Sequence, residues 1–586
     1  MALSDALADV EAIFDRFAAR EIAPGAAYGV IVGGALVHSG GRGTLRVGDP
    51  APPDADSVFR IASMTKSFTA AAVLLLRDAG RLRLDDEVAT WVPELAGLER
   101  ATADSPPLTV EHLLTMAAGF PSDDPWGDRQ QGLDLAEFAT FLGRGPSLAW
   151  APGTHFEYSN LGYGILGRVV TRAGGKEYRE FIRERLLGPL GMTSTTFVAD
   201  EVPPARLAMG YLRRDDAWLE EPIDPYGALA SMGGVFTSVR DLSRWVAWFL
   251  DAFPARDDPE EAGPLSRASR REMQQLHRPF EPELSWTSAD AAPTALVAGY
   301  GYGLFISQEL RFGRTVGHGG GYPGFGSHMR WHPASGVGVV GFANARYAQV
   351  VAAVREAYES LLAAEVAPIR RPVPWPETTE ARASVERLLD RWDDDIAAAL
   401  FAMNVELDEP LDIRRAAIDR LREVHGALRP DESAATESLS PAHLAWWMDG
   451  ERGRVKVEIL LSPERPPRIQ ALTLTSVPEP PAALTAVAER LAGLLGTPGP
   501  SWPSDVPLTE TADHSAIERG LRAAEARFGT ATLGRPTAGD GAKTATWGLT
   551  GDRGALSLTL ELDAPGGAVE KATFIPAPME SPVHDA

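Results

Sequence analysis

Residues Ser63 to Ala79, SMTKSFTAAAVLLLRDA, are apolar nearly all round and run into Gly80. A helix with no broad polar face has to be enclosed on every side, so the rest of the chain must wrap this one. Gly80 is a suitable residue to end it. The head of the segment carries Ser63 and Lys66. Only five of the 56 basic residues are lysine, at 66, 176, 456, 543 and 571, yet one of them is set inside this apolar stretch. Arginine keeps its proton in proteins, whereas a buried lysine can lose it. A serine nucleophile needs a neighbour able to take its proton. Positions i and i+3 share a helix face, so Ser63 and Lys66 can meet. The helix start favours developing negative charge, and burial together with that positive end lowers a lysine pKa.

A second element is Tyr158-Ser159-Asn160. Asparagine occurs only at 160, 344 and 404. With 11 tyrosines, a chance Y-x-N is expected roughly 0.06 times, so its presence carries weight. Tyr158 can shuttle a proton, and Asn160 offers both amide donor and acceptor to a lysine and a substrate amide. Ser159 or Asn160 also suits the N-cap of a helix over Leu161–Ala173. A third element is His318-Gly319-Gly320-Gly321 at a strand end. Glycines there admit a substrate backbone, and a backbone N–H can serve as an oxyanion donor. His318 reads as a hydrogen-bond donor or as a weak cation for a carboxylate or for Tyr158.

Coarse patterning predicts a mixed α/β architecture. Ala26–Val32 and Ala35–Ser39 read as a hairpin turned by Gly33-Gly34. Residues 85 to 290 read as mostly helical. Gly303–Gln308, Arg314–His318, Ser327–His332 and Val337–Ala343 read as strands, and Tyr347–Ala364 as a helix. One sheet assembled from the hairpin and the late strands, with helices on and beside it, accounts for residues 1–366. Prolines cluster in a linker at 367–380. Beyond it lie two α+β units, 381–480 and 481–586, that read as an internal repeat. Trp446 to Gly453 leads into Arg454–Leu461, and Trp547 to Gly554 leads into Ala555–Leu562, through a shared G-[ED]-R-G turn. Trp446, Trp447 and Trp547 read as core aromatics. Asp393-Asp394-Asp395 reads as a solvated helix face rather than a metal site.

Composition narrows the function classes. A net charge of −24 and a pI near 5.0 argue against nucleic acid or an anionic membrane surface as partner. Cysteine is absent, which removes disulfides, thiolate metal sites and cysteine nucleophiles. The amphipathic N-terminus lacks a basic and then apolar leader, and no apolar run is long enough for a span. A cytoplasmic protein with no membrane attachment is the expectation.

The order S-x-x-K, Y-x-N, H-x-G resembles the serine β-lactamase/penicillin-binding protein family. The nearest branch is that of class C β-lactamases, D-alanyl-D-alanine carboxypeptidases, D-aminopeptidases and related esterases. The text agrees over roughly 10–365, for instance at Phe59–Ser63, Leu108–Thr115, Leu190–Met192, Gly233–Ser238 and Gly317–Gly326. The resemblance implies a β-lactamase-like antiparallel sheet with flanking helices and a helical insert, and no cofactor or metal. It implies that Ser63 is acylated, that Lys66 activates it, that Tyr158 is general base and acid, and that Asn160 orients Lys66 and substrate. His318 takes the position usually held by lysine in class C β-lactamases. The N–H groups of Ser63 and Gly321, beside Gly320, form the oxyanion hole. The histidine departs from efficient β-lactamases. Thr115–Phe120 departs too, where relatives carry a more polar T-H-T-S-G-L-like run.

The expected activity is hydrolysis of an ester or a peptide/amide bond in a small-molecule substrate. A weak β-lactamase and a non-catalytic peptide- or ester-binding scaffold are the alternatives. The C-terminal units look somewhat like cystatin/NTF2-type folds and read as a packing, substrate-gating or dimerisation module, with a homodimer through this region.

Overall fold

The computed structural model describes residues 3–260, 263–285, 294–309, 312–370, 372–552 and 554–576. Met1 and Ala2 of the expected N-terminal helix, Arg371 of the linker, Arg553 of the second turn and the last ten residues lie outside the described residues. The chain divides after Arg370 into two compact units.

The first unit is built on a nine-stranded antiparallel sheet. Its strands include β1 (Gly25–Val32), β2 (Ala35–Gly43), β3 (Thr294–Tyr300), β4 (Phe305–Glu309), β5 (Gly313–Tyr322), β6 (Phe325–His332) and β7 (Val337–Ala343), in the order β2-β1-β7-β6-β5-β4-β3. The expected hairpin is β1–β2, turned by Gly33 and Gly34 at φ 58° and 84°. β1 pairs with β7 from Ala26↔Ala343 to Val32↔Val337, so the first and last strands of the unit are neighbours. One face is covered by α1 (Leu3–Ala19) and by α5 (Val350–Ala363), with Phe14 stacked on Tyr28 at 3.9 Å. The other face meets α2 (Thr65–Asp78), α3 (Asn160–Gly174) and α4 (Val239–Leu250).

Every residue of α2 from Thr65 to Leu76 is buried. The enclosure expected from its composition holds over this stretch and takes in Lys66, while Ser63 is half-buried and Asp78 and Ala79 are exposed. Gly303, at φ 71°, lets the chain cross that head. A Cβ there would sit 2.6 Å from Lys66 O.

Strands also occur inside the stretch read as mostly helical, and one lies ahead of it. Val58–Arg60 pairs with Phe236–Ser238, Tyr211–Arg214 with Ala217–Glu220, and Arg278–Pro279 and Glu283–Ser285 add to β3 at the sheet edge. The strand β3 itself was not anticipated. Segments of two to four residues are too short to display a period of two, and their partners are distant in sequence, so tertiary pairing decides them.

The second unit contains helices α6 (Pro376–Asp390), α7 (Leu411–His425), α8 (Ala482–Leu494) and α9 (His514–Phe528). α6 begins within the segment read as a linker. Two four-stranded antiparallel sheets follow: Arg429–Pro430, β8 (His443–Gly450), β9 (Gly453–Leu461) and β10 (Ile469–Pro478); then β11 (Ala531–Gly539), β12 (Thr544–Gly551), β13 (Gly554–Leu562) and β14 (Val569–Pro576). Their details correspond. The hairpins close at Gly450↔Gly453 and Gly551↔Gly554, and both carry a register shift at their final residues, Leu461↔Ile469 and Leu562↔Val569. Helices α7 and α9 both end at a positive-φ glycine, Gly426 and Gly529. Trp446 and Trp547 occupy matching core positions. Asp393 caps the helix Asp394–Leu400, its Oδ1 accepting from the N–H groups of Asp395 and Ile396. No helix among the described residues is long and apolar enough to cross a membrane.

Candidate active site

The segment leading into α2 is a 3-10 turn, Ala62–Met64, and Ala62 has φ 48°. A non-glycine residue in that region is held there by its surroundings. Those surroundings are β5 and β6. Ser327 Oγ donates to Ile61 O at 2.8 Å. At Gly320 a Cβ would lie 2.2 Å from Ile61 O and 2.3 Å from Ser327 Oγ, so only glycine lets β5 approach the serine turn. Gly321 pairs with Gly326 one residue further on. A cavity of about 520 Å³ adjoins β5, lined by Phe305, Gly319, Gly321, His328 and Tyr347 but not by Ser63, Lys66 or Tyr158.

Lys66 is wholly buried, and its ammonium has three neighbours. Nζ donates to Asn160 Oδ1 at 2.7 Å, to Met232 O at 3.0 Å and to Ser63 Oγ at 3.0 Å. Burial brings the Lys66 pKa down from 10.5 to about 8, while Asp124, Asp128 and Asp123 oppose the fall. Two of the three neighbours are carbonyl oxygens and can only accept. When Lys66 loses a proton, these keep its two remaining N–H groups. The lone pair then faces Ser63 Oγ, and the serine becomes the donor in that contact.

Asn160 starts α3, with Ser159 as N-cap accepting from Gly162 N at 3.0 Å. Its Nδ2 donates to Asp124 Oδ1 at 2.7 Å, which sets the amide so that Oδ1 faces Lys66. Asp123 accepts from the N–H of Asn160 at 2.6 Å and of Leu161 at 2.8 Å, satisfying donors at the helix start. Sequence reasoning missed both aspartates. An adjacent acidic pair just ahead of a Y-S-N segment was the available signal, but only the folded loop aims one at the helix and the other at the amide. Asp128 was missed as well. It is 3 % exposed, and Tyr347 Oη donates to its Oδ2 at 2.9 Å. Burial raises its pKa to about 6, against the lowering effects of Tyr347 and then Lys66.

Tyr158 packs beside Lys66, whose Nζ lies 4.8 Å from the ring centroid. Burial lifts its hydroxyl well above the ordinary value, Asp124 adds to this, and the hydrogen bond with Ser63 works against it. At neutral pH Tyr158 is a phenol and Lys66 is the group poised to change protonation. The segment Thr115–Phe120 lies beneath this loop. Met116 O accepts from Glu157 N at 2.8 Å and Met116 Sδ from Ser159 N at 3.3 Å.

His318 stands on β5, 2 % exposed. Its Nδ1 is 2.6 Å from Gly319 O, which can only accept, so the ring proton is assigned to Nδ1. Its Nε2 then accepts from Tyr300 Oη at 3.1 Å. Burial, followed by the charge of Lys66, pushes its pKa down to about 3. His318 is therefore neutral near pH 7, which corrects the expectation of a weak cation. Its contact with Tyr158 is between rings, 6.3 Å apart, rather than a hydrogen bond. Aromatic side chains frame this end of the site: Phe305 lies 4.9 Å from His318 and 6.3 Å from Tyr158 between ring centroids, and Phe156 and Phe280 lie 4.4 Å apart beside them. Nothing in the spacing of these phenylalanines had indicated that they converge.

The structure thus brings Ser63, Lys66, Tyr158, Asn160 and His318 together, with Gly320 and Gly321 on the adjoining strand. Residues 10–364 match the family described as Beta-lactamase. Among curated proteins, the chain is 26% identical to Protein flp of Staphylococcus aureus (strain MRSA252) over 346 residues, covering 58% of this chain and 63% of that one. It is 29% identical to the D-alanyl-D-alanine-carboxypeptidase/endopeptidase AmpH of Escherichia coli (strain K12) over 220 residues, covering 36% of this chain and 53% of that one. The matches thus span about half to under two thirds of these relatives. The octameric penicillin-binding protein homologue from Pyrococcus abyssi shares the fold over 97% of this chain and 98% of its own, with TM-score 0.52 and 18% identity. The match over most of the chain, on a fold whose buried helix presents Ser63 to Lys66, establishes that this protein belongs to the beta-lactamase family of serine hydrolases.

Proposed function

We propose that the protein is a serine hydrolase that works through an acyl-enzyme on Ser63 and cleaves an ester, or a peptide or amide bond of the D-amino-acid type. The observation that carries this reading is the three-way hold on Lys66, which leaves its lone pair only Ser63 Oγ to face once a proton is lost. As Oγ attacks the substrate carbonyl, its proton passes to Lys66 Nζ. The carbonyl oxygen becomes an oxyanion, taken up by the N–H groups of Ser63 and Gly321. Tyr158 Oη–H protonates the leaving oxygen or nitrogen as the bond to carbon breaks, and Lys66 returns a proton to Tyr158. The proton of Ser63 has then left with the alcohol or amine. In the second half, water attacks the acyl ester, its proton moves to the Tyr158–Lys66 pair, and Ser63 Oγ takes it back as the acid departs.

The substrate class is drawn from the walls. Phe156, Phe280 and Phe305 present apolar rings, and His318 is neutral, so this end of the site suits an uncharged acyl or alcohol group better than a free carboxylate. That favours a carboxylesterase over a carboxypeptidase. The relative named as a D-alanyl-D-alanine carboxypeptidase keeps the peptidase reading in the panel. The test is a set of p-nitrophenyl esters, D-amino-acid anilides and a chromogenic cephalosporin, with Ser63→Ala as control and fluorophosphonate labelling alongside. Ester turnover and labelling in the wild type, both absent in Ser63→Ala, are expected. Turnover that survives Ser63→Ala overturns the acyl-enzyme, and anilide cleavage outpacing all esters overturns the esterase assignment.

A further inference from the structure

The second unit holds an arginine for which the hydrolase chemistry has no use. Arg454, near the start of β9, is 6 % exposed. Its guanidinium lies 3.6 Å over the ring of Trp447, which fixes its plane. Its Nε and Nη2 are both buried and neither makes a hydrogen bond. The nearest carboxylate oxygen, Asp431 Oδ2, is 3.6 Å from Nη2 and already accepts from Arg535 Nη1 at 2.9 Å. Asp431 Oδ1 is taken by Ser433 and by the N–H of Ala434. Asp449, opposite Arg454 in the β8–β9 register, is engaged by both nitrogens of the Arg535 fork, at 2.9 and 2.7 Å. Arg535 thus pairs with both carboxylates, although Asp449 Oδ1 accepts no hydrogen bond, and Arg454 keeps an unused edge. Burial, followed by the charge of Arg535, lowers the Arg454 pKa.

Arg454 is one of the residues lining a pocket of about 440 Å³ between the two repeats. Val477, Pro478, Leu533, Pro536 and Trp547 supply apolar walls, and Thr485 a hydroxyl. The two acidic lining residues, Glu479 and Glu489, are exposed. Nε–H and Nη2–H point the same way along one edge of a planar guanidinium. They match the two oxygens of a carboxylate in a paired, side-on contact. Buried donors without acceptors are costly, and a bound carboxylate would satisfy both. We propose that this pocket binds a small organic carboxylate, its oxygens accepting from Arg454 Nε and Nη2 and its apolar body lying against Leu533, Pro536 and Trp547. The acyl-enzyme at Ser63 plays no part in this reading, and each stands if the other falls.

The test is calorimetric titration of the full chain with hexanoate, hexanamide and inorganic phosphate. The wild type is expected to bind hexanoate at least tenfold more tightly than hexanamide, and more tightly than phosphate. Arg454→Gln removes that preference while ester turnover continues. Arg454→Lys keeps the charge, loses the paired contact, and weakens hexanoate at least several-fold. Should either substitution lower the melting temperature sharply, Thr485→Trp fills the pocket without touching the arginine and is expected to abolish hexanoate binding. Equal binding of hexanoate and hexanamide, an Arg454-dependent preference for phosphate, or undiminished hexanoate binding by a folded Arg454→Gln or Thr485→Trp protein overturns the proposal.

Discussion

Asp124 reaches Lys66 through Asn160 and opposes the burial that lowers the Lys66 pKa. Its carboxylate holds Asn160 by a 2.7 Å hydrogen bond, and Asn160 holds Lys66 by another. It is also the largest of the three influences that raise the Lys66 pKa against burial. Asp124→Asn keeps a carbonyl oxygen for Asn160 Nδ2 and removes the charge. A charge of opposite sign close by shifts a pKa by about 1–3 units. Because Asp124 acts across Asn160 rather than by contact, the low end applies, about 1 unit or about 1.4 kcal/mol. Lys66 then titrates near about 7 instead of about 8. A lysine that must be neutral to work gives a rate that rises with pH through its pKa, and kcat/KM reports the free enzyme. The acid limb is therefore expected to move down by about one pH unit, with kcat/KM at pH 6.5 rising several-fold. Asp124→Leu is the contrast. It removes the same charge and also leaves Asn160 Nδ2 without an acceptor, a loss of about 1–3 kcal/mol, or about fivefold to a hundredfold in the high-pH plateau of kcat/KM. The assay is p-nitrophenyl ester hydrolysis from pH 5.5 to 9.5, with the Ser63→Ala rate subtracted. A limb in Asp124→Asn that stays in place or moves up refutes Lys66 as the base, and an unimpaired Asp124→Leu refutes the positioning of Asn160.

Lys66→Arg keeps charge and bulk but cannot give up a proton, so esterase kcat is expected to fall about 10³-fold or more, and fluorophosphonate labelling with it; near-normal rates would place the base elsewhere. Gly320→Ala puts a methyl 2.2 Å from Ile61 O, a backbone atom that cannot swing aside, and is expected to cost about 1–3 kcal/mol and to lower kcat more than it raises KM; an unchanged melting curve and unchanged kcat would contradict the close approach of β5. Phe305→Ala opens the aromatic end of the site and is expected to raise KM for long-chain or aromatic acyl esters while leaving acetyl esters nearly unaffected, which a chain-length series reads directly. Trp446→Ala and Trp547→Ala, at matching core positions of the two repeats, are each expected to cost about 3–5 kcal/mol in urea unfolding of the second unit; a negligible cost at either would contradict the core reading.

Much of the site was legible because its chemistry is local. Ser63 and Lys66 share one helix face at a spacing set by helical geometry, and Tyr158 and Asn160 flank one N-cap, so their residue types and intervals carry the signal. The sheet was partly legible for the same reason: Gly33-Gly34 announces a hairpin, and β4 to β7 are long enough to show their pattern. The strands at 58–60, 236–238, 278–279 and 283–285 were not. They are a few residues long and owe their conformation to partners far away in sequence. The second unit followed the same rule. Its repeated turns and strands could be read in outline, whereas the start of α6 inside a proline-rich stretch could not, since proline is also acceptable in a first helical turn.

By itself, the sequence determined the buried helix and the order of the S-x-x-K, Y-x-N and H-x-G motifs, since an all-apolar segment must be buried and these motifs are written in residue types and intervals. Tertiary structure alone decided the charge states. Burial makes His318 neutral and brings Lys66 down to about 8 against the pull of three aspartates, and the convergence of Phe156, Phe280 and Phe305 makes the wall apolar. Electrostatics and packing depend on distance through space, and residues 124 and 66, or 156 and 305, come near one another only when the chain has folded.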